Sequence, residues 1–155
     1  MQFKINLTNT ALTREKFPMN NEDFNWRKEL CIGIEHIDKA HEELFSIVRK
    51  LNRLIEDDKN EFASVQGIKY LKSYVIRHFE EEEEYMRSIS YEGYEKHKLL
   101  HARLRDNTLP ALEQDMEANN YSPQSVKRFL DICIRWLNEH IKIEDMNIGK
   151  SQKKV

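Results

Sequence analysis

Apolar residues recur every three or four positions in four stretches of this chain, which places them on one side of an α-helix. The stretches run from about residue 34 to 57, from 61 to 88, from 90 to 119 and from 122 onward. Glycine and proline, which disfavour helix interiors, number only four and three in 155 residues. Four amphipathic helices joined by short breaks predict an all-α fold, an up-down-up-down antiparallel four-helix bundle.

Residues typical of helix ends separate these stretches. The polar run 57–60 follows the first stretch, and Ser90 is predicted to be the N-cap of the third helix. Pro110 should kink or end that helix, because proline lacks the amide hydrogen that its turn needs. After the break at 119–121, the pair Ser122–Pro123 predicts an N-cap followed by proline at the first helical position.

The length of the chain fits a single domain. Residues 1–25 lack sustained periodicity and are predicted to form an irregular N-terminal arm, residues 26–149 the bundle domain, and residues 150–155 a C-terminal tail. The N-terminus has no apolar segment suited to a signal peptide, and charges interrupt every apolar stretch, so we expect no membrane span.

Charge and cysteine content narrow the classes of partner. A formal net charge of −2 gives no reason to expect nucleic acid or an anionic membrane. Cys31 and Cys133 lie far apart and form no paired motif, so we expect reduced, small apolar side chains in a cytoplasmic protein. The protein is expected to be a monomer or a weak homo-oligomer.

Histidines interrupt the apolar face of every predicted helix. Five of the six histidines lie on these inner faces: His41, His78, His97, His101 and His140. The sixth, His36, falls off the inner face of its helix and should be structural or exposed. One such histidine is ordinarily a hydrogen-bonded core residue, but five imidazoles in one small core need a shared partner.

The spacing of these residues is typical of metal ligands. His78 and Glu82 lie four residues apart, as do His97 and His101, so each pair projects side by side from its helix. Imidazole and carboxylate donors without thiolate suit iron, manganese or zinc more than calcium. The sequence therefore predicts a buried metal site in the bundle core. The other acidic residues beside Glu82 are expected to face solvent: Glu80, Glu81, Glu83 and Glu84.

In these features the chain resembles the hemerythrins, specifically the single-domain bacteriohemerythrins. The resemblance covers about residues 26–148, and Trp26 is similar to the tryptophan before the family's first helix. The matching stretches are Ile32-Gly33-Ile34, Ile37-Asp38, His41-Glu42-Glu43-Leu44-Phe45, His78-Phe79, Glu82-Glu83, Met86, His97, His101, Trp136-Leu137-Asn138-Glu139-His140-Ile141 and Asp145.

The resemblance implies two iron ions, Fe²⁺ or Fe³⁺. It assigns one iron to His97, His101 and His140, the other to His41 and His78, and the bridging positions to Glu82, Asp145 and an oxo or hydroxo group. Five apolar residues match those that wall the dioxygen pocket in the family: Leu44, Phe79, Trp136, Leu137 and Ile141. Ordinary core packing is the alternative role for all five.

The function implied is reversible dioxygen binding, for storage, delivery or sensing, with nitric oxide and small anions such as azide as further ligands. Two alternatives stay open. One is a di-iron redox enzyme, such as an oxidase, peroxidase or nitric oxide reductase, and the other is a signalling module that responds to oxygen or redox state. No inner-face residue pairs a nucleophile with a base, which favours binding over catalysis.

The position of Asp145 sets a requirement on the backbone. It follows His140 by five residues, which on a regular helix puts the two side chains about 140° apart. We therefore predict a π-type or loosened turn between them, a feature that often occurs at functional sites. Glu144, four residues after His140, is the competing second carboxylate.

Counting donors predicts where a small ligand binds. Suppose that the two carboxylates and one solvent oxygen each contact both irons. The three-histidine iron then has three plus three donors and is coordinatively full, whereas the other has two plus three and keeps one open position. We expect dioxygen and azide at the iron held by His41 and His78. Leu44→Ala should speed autoxidation and azide entry more than the control Leu104→Ala. A structure of the azide adduct checks the assignment, and azide on the three-histidine iron would contradict it.

Overall fold

The computed structural model describes residues 21–57 and 61–153, so most of the predicted N-terminal arm lies outside the described residues. In the described part, the α-helices are α1 (Glu35–Glu56), α2 (Glu61–Ser88), α3 (Tyr94–Arg103), α4 (Leu109–Ala118), α5 (Pro123–His140) and α6 (Met146–Gln152). A π-helical segment, Leu104–Thr108, joins α3 to α4, and another, Ile141–Asp145, joins α5 to α6. Each of these pairs therefore forms one continuous rod. Two short 3₁₀ turns, Asn21–Phe24 and Lys28–Leu30, precede α1.

Helices α1 and α2 each form a rod of their own, and these two pack with the α3–α4 and α5–α6 rods as an antiparallel bundle. Helix α1 contacts α2 and α5, α2 contacts α3, and α4 contacts α5. Connections of four or five residues reverse the chain direction between successive rods, because so short a link can join only antiparallel neighbours. The predicted up-down-up-down four-helix bundle is confirmed, and the first two helices begin and end within one residue of the predicted positions.

Ser90 does not cap the third helix, so that prediction is wrong. Its backbone is left-handed, with φ of 52°, and it ends α2 instead. The N–H of Tyr91 donates to the carbonyl of Met86 at 2.9 Å, and the N–H of Ser90 donates to the carbonyl of Arg87 at 3.0 Å. These are the paired bonds of a Schellman motif. Helix α3 begins at Tyr94, with Gly93 at its N-cap.

The break between α4 and α5 uses the same device. Asn120 has φ of 50°, and the N–H of Tyr121 donates to the carbonyl of Met116 at 2.8 Å. Helix α5 then begins as predicted, since the Ser122 hydroxyl accepts a hydrogen bond from the N–H of Ser125 at 3.3 Å and Pro123 occupies the first helical position.

The sequence predicted that the third helix kinks or ends near Pro110. The rod formed by α3 and α4 instead continues through this residue. The π-helical turn ends two residues before this proline, and α4 begins at Leu109. Proline is tolerated in the first turn of a helical segment, where an N–H would have no partner within that segment. The wide turn thus accommodates Pro110 without ending the rod.

The core extends to residues before Trp26. Phe24, which we assigned to the arm, is buried. Leu30 and Ile32, which follow Trp26 and precede α1, are buried as well. The side-chain amide of Asn138 on α5 donates to the carbonyl of Asp23 at 3.2 Å and so ties this segment to the bundle. The end of the arm therefore contributes apolar surface to the domain.

The two cysteines have different surroundings. Both are free; Cys133 is buried, and burial raises the pKa of its thiol to about 12, whereas Cys31 is exposed. Both side chains are thus free thiols, as expected, but only Cys133 is part of the core. His36 is exposed, as expected, with its ring 5.0 Å from that of Tyr85. Among the described helices, none is long and apolar enough to cross a membrane.

Helix α6 closes tightly over the turn that leads into α1. A Cβ atom on Gly149 would overlap the carbonyl oxygen of Ile32. That turn is held in place by Asp38, whose carboxylate accepts hydrogen bonds from the N–H groups of Ile32 at 2.8 Å and Gly33 at 3.0 Å. Because backbone anchored in this way cannot easily move, position 149 requires glycine.

We predict that Gly149→Ala destabilises the protein although the position is helical. Helix propensity alone would stabilise it by about 1 kcal/mol. The overlap with Ile32 should instead cost about 1–3 kcal/mol, the usual cost of overpacking. Denaturant unfolding of the variant checks the sign, with Lys150→Ala as an exposed control on the same helix. A Gly149→Ala variant more stable than the wild type would contradict this packing.

Candidate metal centre

The structure brings all seven predicted donors together in the bundle core. They come from every rod: His41 from α1, His78 and Glu82 from α2, His97 and His101 from α3, His140 from α5, and Asp145 from the π-helical segment after it. Each is at most 7% exposed. Two groups of potential ligand atoms overlap at Glu82, one with His97, His101, His140 and Asp145, the other with His41 and His78.

Three imidazoles converge on one point. The Nε2 atoms of His97, His101 and His140 form a triangle with sides of 3.0, 3.1 and 3.1 Å. A neutral imidazole has a single N–H, so this triangle cannot be satisfied by hydrogen bonds among its own members. With metal–nitrogen bonds of about 2.1 Å, donors at right angles lie about 3.0 Å apart, and donors at the tetrahedral angle about 3.4 Å. The observed triangle fits one face of an octahedron.

Two carboxylate oxygens extend this face. Glu82 Oε2 lies 3.3 Å from Nε2 of His97 and 3.2 Å from that of His101, while Asp145 Oδ1 lies 3.2 Å from His97 and 3.0 Å from His140. All five donor atoms lie within 4.8 Å of one another. His97 Nε2 thus has all four other donors within 3.3 Å, and these five residues would hold one metal ion.

The remaining carboxylate oxygens face the second group. Asp145 Oδ2 lies 3.2 Å from Nε2 of His41, and Glu82 Oε1 lies 4.0 Å from the same atom. Glu82, His41 and His78 each offer a ligand atom within 4.8 Å of the others. Each carboxylate therefore presents one oxygen to the three-histidine group and one toward His41, which is the geometry of a carboxylate bridge between two cations.

Several buried polar atoms here have no hydrogen-bond partner among the described residues. They include both carboxylate oxygens of Glu82, both of Asp145, and both ring nitrogens of His41. Leaving a buried polar group unpaired costs a few kcal/mol, and a buried charge costs more. Two bound cations would supply the missing partners, so the donor set fits a metal pair.

The electrostatics of the cluster favour positive charge. Burial would raise the pKa of Asp145, but the imidazoles of His140, His41 and His97 hold it well below its ordinary value. Burial disfavours protonation of His97, yet Asp145 and Glu82 outweigh it and raise the pKa of His97 to about 9. At His78, burial prevails and lowers the pKa to about 4. The two carboxylates thus stay ionised and attract cations.

The turn predicted between His140 and Asp145 is present. Residues Ile141–Asp145 are π-helical, and the wider turn brings Asp145 Oδ1 to 3.0 Å from Nε2 of His140. Glu144, the competing carboxylate, lies toward the surface and accepts a hydrogen bond from Lys96 Nζ at 3.3 Å. The backbone therefore selects Asp145 as the inward-facing acid.

The predicted pocket residues lie around the donors. Leu44, Phe79, Leu137 and Ile141 are buried, and Trp136 is half-buried. The Phe79 ring stacks on that of His101 at 3.8 Å, and Trp136 stacks on His140 at 4.2 Å. Both aromatic rings thus contact the three-histidine group. The role of the five residues as a dioxygen pocket remains a prediction.

Glu83 differs from the prediction. The sequence placed it in solvent, but it is only 8% exposed, and its Oε1 lies 3.0 Å from Nδ1 of His101. The sequence did contain evidence for this burial. Glu83 lies four residues after Phe79 and three before Met86, which places it on the same apolar face of the helix as these two residues. The acidic run around it obscured that spacing.

Fold and site together define a class of protein: a four-helix bundle with a non-haem dinuclear metal centre in its core. The family model described as the Hemerythrin HHE cation binding domain matches residues 32–150. The chain belongs to this hemerythrin family.

Three relatives illustrate the range of the family. The chain is 34% identical over 130 residues to the bacteriohemerythrin of Clostridium acetobutylicum, covering 79% of this chain and 95% of that protein. It is 27% identical over 128 residues to a hemerythrin subunit of Sipunculus nudus, covering 80% and 89%. It is 26% identical over 123 residues to a hemerythrin-like protein of Naegleria gruberi, covering 79% and 88%.

We predict that Asp145→Ala loses metal and that Glu144→Ala does not. The first change removes a carboxylate that faces both groups of donors, whereas the second removes a surface ion pair worth little. After anaerobic loading and desalting, elemental analysis should give about two metal ions per wild-type chain, since seven donors suit a bridged pair. Equal metal content in the two variants would contradict the geometry.

Proposed function

We propose that this protein binds dioxygen reversibly at a pair of iron ions in the core of the bundle. The observation that supports this most directly is the placement of Glu82 and Asp145, each with one oxygen toward the three-histidine group and one toward His41. Family membership supports the same function, because the relatives include hemerythrins and bacteriohemerythrins. We assign the site to a domain spanning residues 26–149.

The ligand assignment follows from the two groups of donors. We assign His97, His101 and His140 to one iron and His41 and His78 to the other, with Glu82 and Asp145 shared. A pair of ferrous ions held by these residues would supply the electrons for reversible dioxygen binding. The donor set, imidazole and carboxylate without thiolate, suits iron.

The two-histidine side is the better place for an added ligand. It has one histidine fewer than the other side, while both carboxylates are shared. The three-histidine side is also the more crowded, since the rings of Phe79 and Trp136 stack on two of its imidazoles. These rings position the ligands and keep bulk water away from the donors.

Binding fits the surroundings of the site better than catalysis does. The described side chains around the donors are mostly apolar, and the buried thiol of Cys133 is held in its protonated form by a raised pKa. A nucleophile needs a base beside it, and catalysis of proton transfer needs an acid or base that is free of the metals. In this arrangement, the inward-facing acids and bases are the proposed ligands themselves, apart from Glu83, which contacts His101.

We predict that the ferrous protein changes its visible absorption in air and recovers it under argon. Apo protein would be loaded anaerobically with two ferrous ions per chain and cycled between air and argon while the spectrum is recorded. Zinc-loaded protein is the control, because zinc has no redox chemistry and should show no change.

Two results would argue against an oxygen carrier. A spectrum that changes once and never recovers would indicate oxidation without reversible binding. Continuous oxygen consumption in the presence of a reductant, over many equivalents per chain, would instead indicate a di-iron redox enzyme.

A further inference from the structure

Glu83 contacts the metal centre through one of the proposed ligands. It is buried beside Glu82, and its Oε1 lies 3.0 Å from Nδ1 of His101. The other ring nitrogen of His101, Nε2, faces His97 and His140 at 3.1 Å. The imidazole of His101 therefore lies between a carboxylate on one side and the donor cluster on the other.

This contact determines the tautomer of the ring. A neutral imidazole carries one N–H, and an ionised carboxylate can only accept a hydrogen bond. The proton of His101 is therefore on Nδ1, where it donates to Glu83, and the lone pair of Nε2 faces the cluster. Stacking against the Phe79 ring, at 3.8 Å and nearly parallel, restricts the ring plane as well.

His97 provides an internal comparison. It lies one helical turn before His101 and presents Nε2 to the same point. Its Nδ1, however, is buried with no hydrogen-bond partner among the described residues. Of these two histidines of α3, only His101 is thus oriented by a carboxylate, so the effect of Glu83 should be specific to one ligand.

We propose that Glu83 is a positioning residue that acts through His101. By accepting the Nδ1 proton, it holds Nε2 toward the metal and makes the imidazole a stronger electron donor. A stronger donor and a nearby negative charge both stabilise ferric over ferrous iron. Glu83 therefore lowers the reduction potential of the centre and tightens its hold on metal. This inference rests on the proposed function, since it takes His101 to be an iron ligand.

Two substitutions separate the charge of Glu83 from its role as acceptor. Glu83→Gln keeps an oxygen that can accept from His101 but removes the charge, whereas Glu83→Leu removes both. The exposed neighbour Glu84 allows a matched control, because Glu84→Gln makes the same change of charge one residue away. Circular dichroism of the apo proteins shows whether each variant folds.

Zinc affinity and reduction potential are the two measurements. In competition with a chelator, Glu83→Leu should bind zinc about 10- to 100-fold more weakly than the wild type, the usual effect of losing such a partner. Glu83→Gln should keep its zinc affinity within about threefold but raise the midpoint potential of the iron-loaded protein. Glu84→Gln should change neither.

Different results would contradict the positioning role of Glu83 and the proposed dioxygen binding. Unchanged zinc affinity in a folded Glu83→Leu variant, or equal potentials in Glu83→Gln and Glu84→Gln, would overturn the role of Glu83. If Glu83→Leu does not fold, the potentials of the two glutamine variants decide. A wild-type protein that holds no iron pair would overturn the proposed function, while the zinc comparison would still test Glu83.

Discussion

The bundle is built around a cluster of buried carboxylates and imidazoles. Both oxygens of Glu82 and of Asp145 lie in the core without a hydrogen bond among the described residues, beside a triangle of imidazole nitrogens. An apolar core of similar size would avoid this cost. Bound cations would offset this cost, so we expect folding stability and metal binding to be linked in this protein.

Helix geometry supplies the positions of the donors, and it departs from the regular α-helix where the site requires it. Two pairs of donors, one on α2 and one on α3, use the four-residue spacing that places side chains on one face. His140 and Asp145 lie five residues apart, and the π-helical turn between them brings both inward. The aromatic rings of Phe79 and Trp136 stack on the imidazoles of His101 and His140 and restrict their planes.

The parts of the structure that could be predicted depend on contacts near in sequence. Periodicity located the first two helices because an amphipathic face is a local property. The role of Ser90 was predicted wrongly, because serine suits both an N-cap and, less often, a left-handed helix end. Glu83 was missed for a different reason. Its spacing from Phe79 and Met86 placed it on the apolar face, but the acidic run around it obscured that spacing, and its partner His101 is 18 residues away on another helix.

The resemblance to the hemerythrins supplied the full set of predicted donors and, with Asp145 among them, the need for a wide turn after His140. The sequence by itself determined the helices, their inward faces and the five histidines on those faces. These follow from residue spacing and from the cost of burying unpaired polar groups. Only the tertiary structure decided which atoms meet. It shows that one oxygen of Asp145 faces His140 and the other faces His41, and that Glu83 contacts His101. It also shows which aromatic rings stack on His101 and His140. The reason is physical. Spacing along a helix sets the direction of a side chain, but the separation between two helices and their relative rotation are set by packing across the whole core.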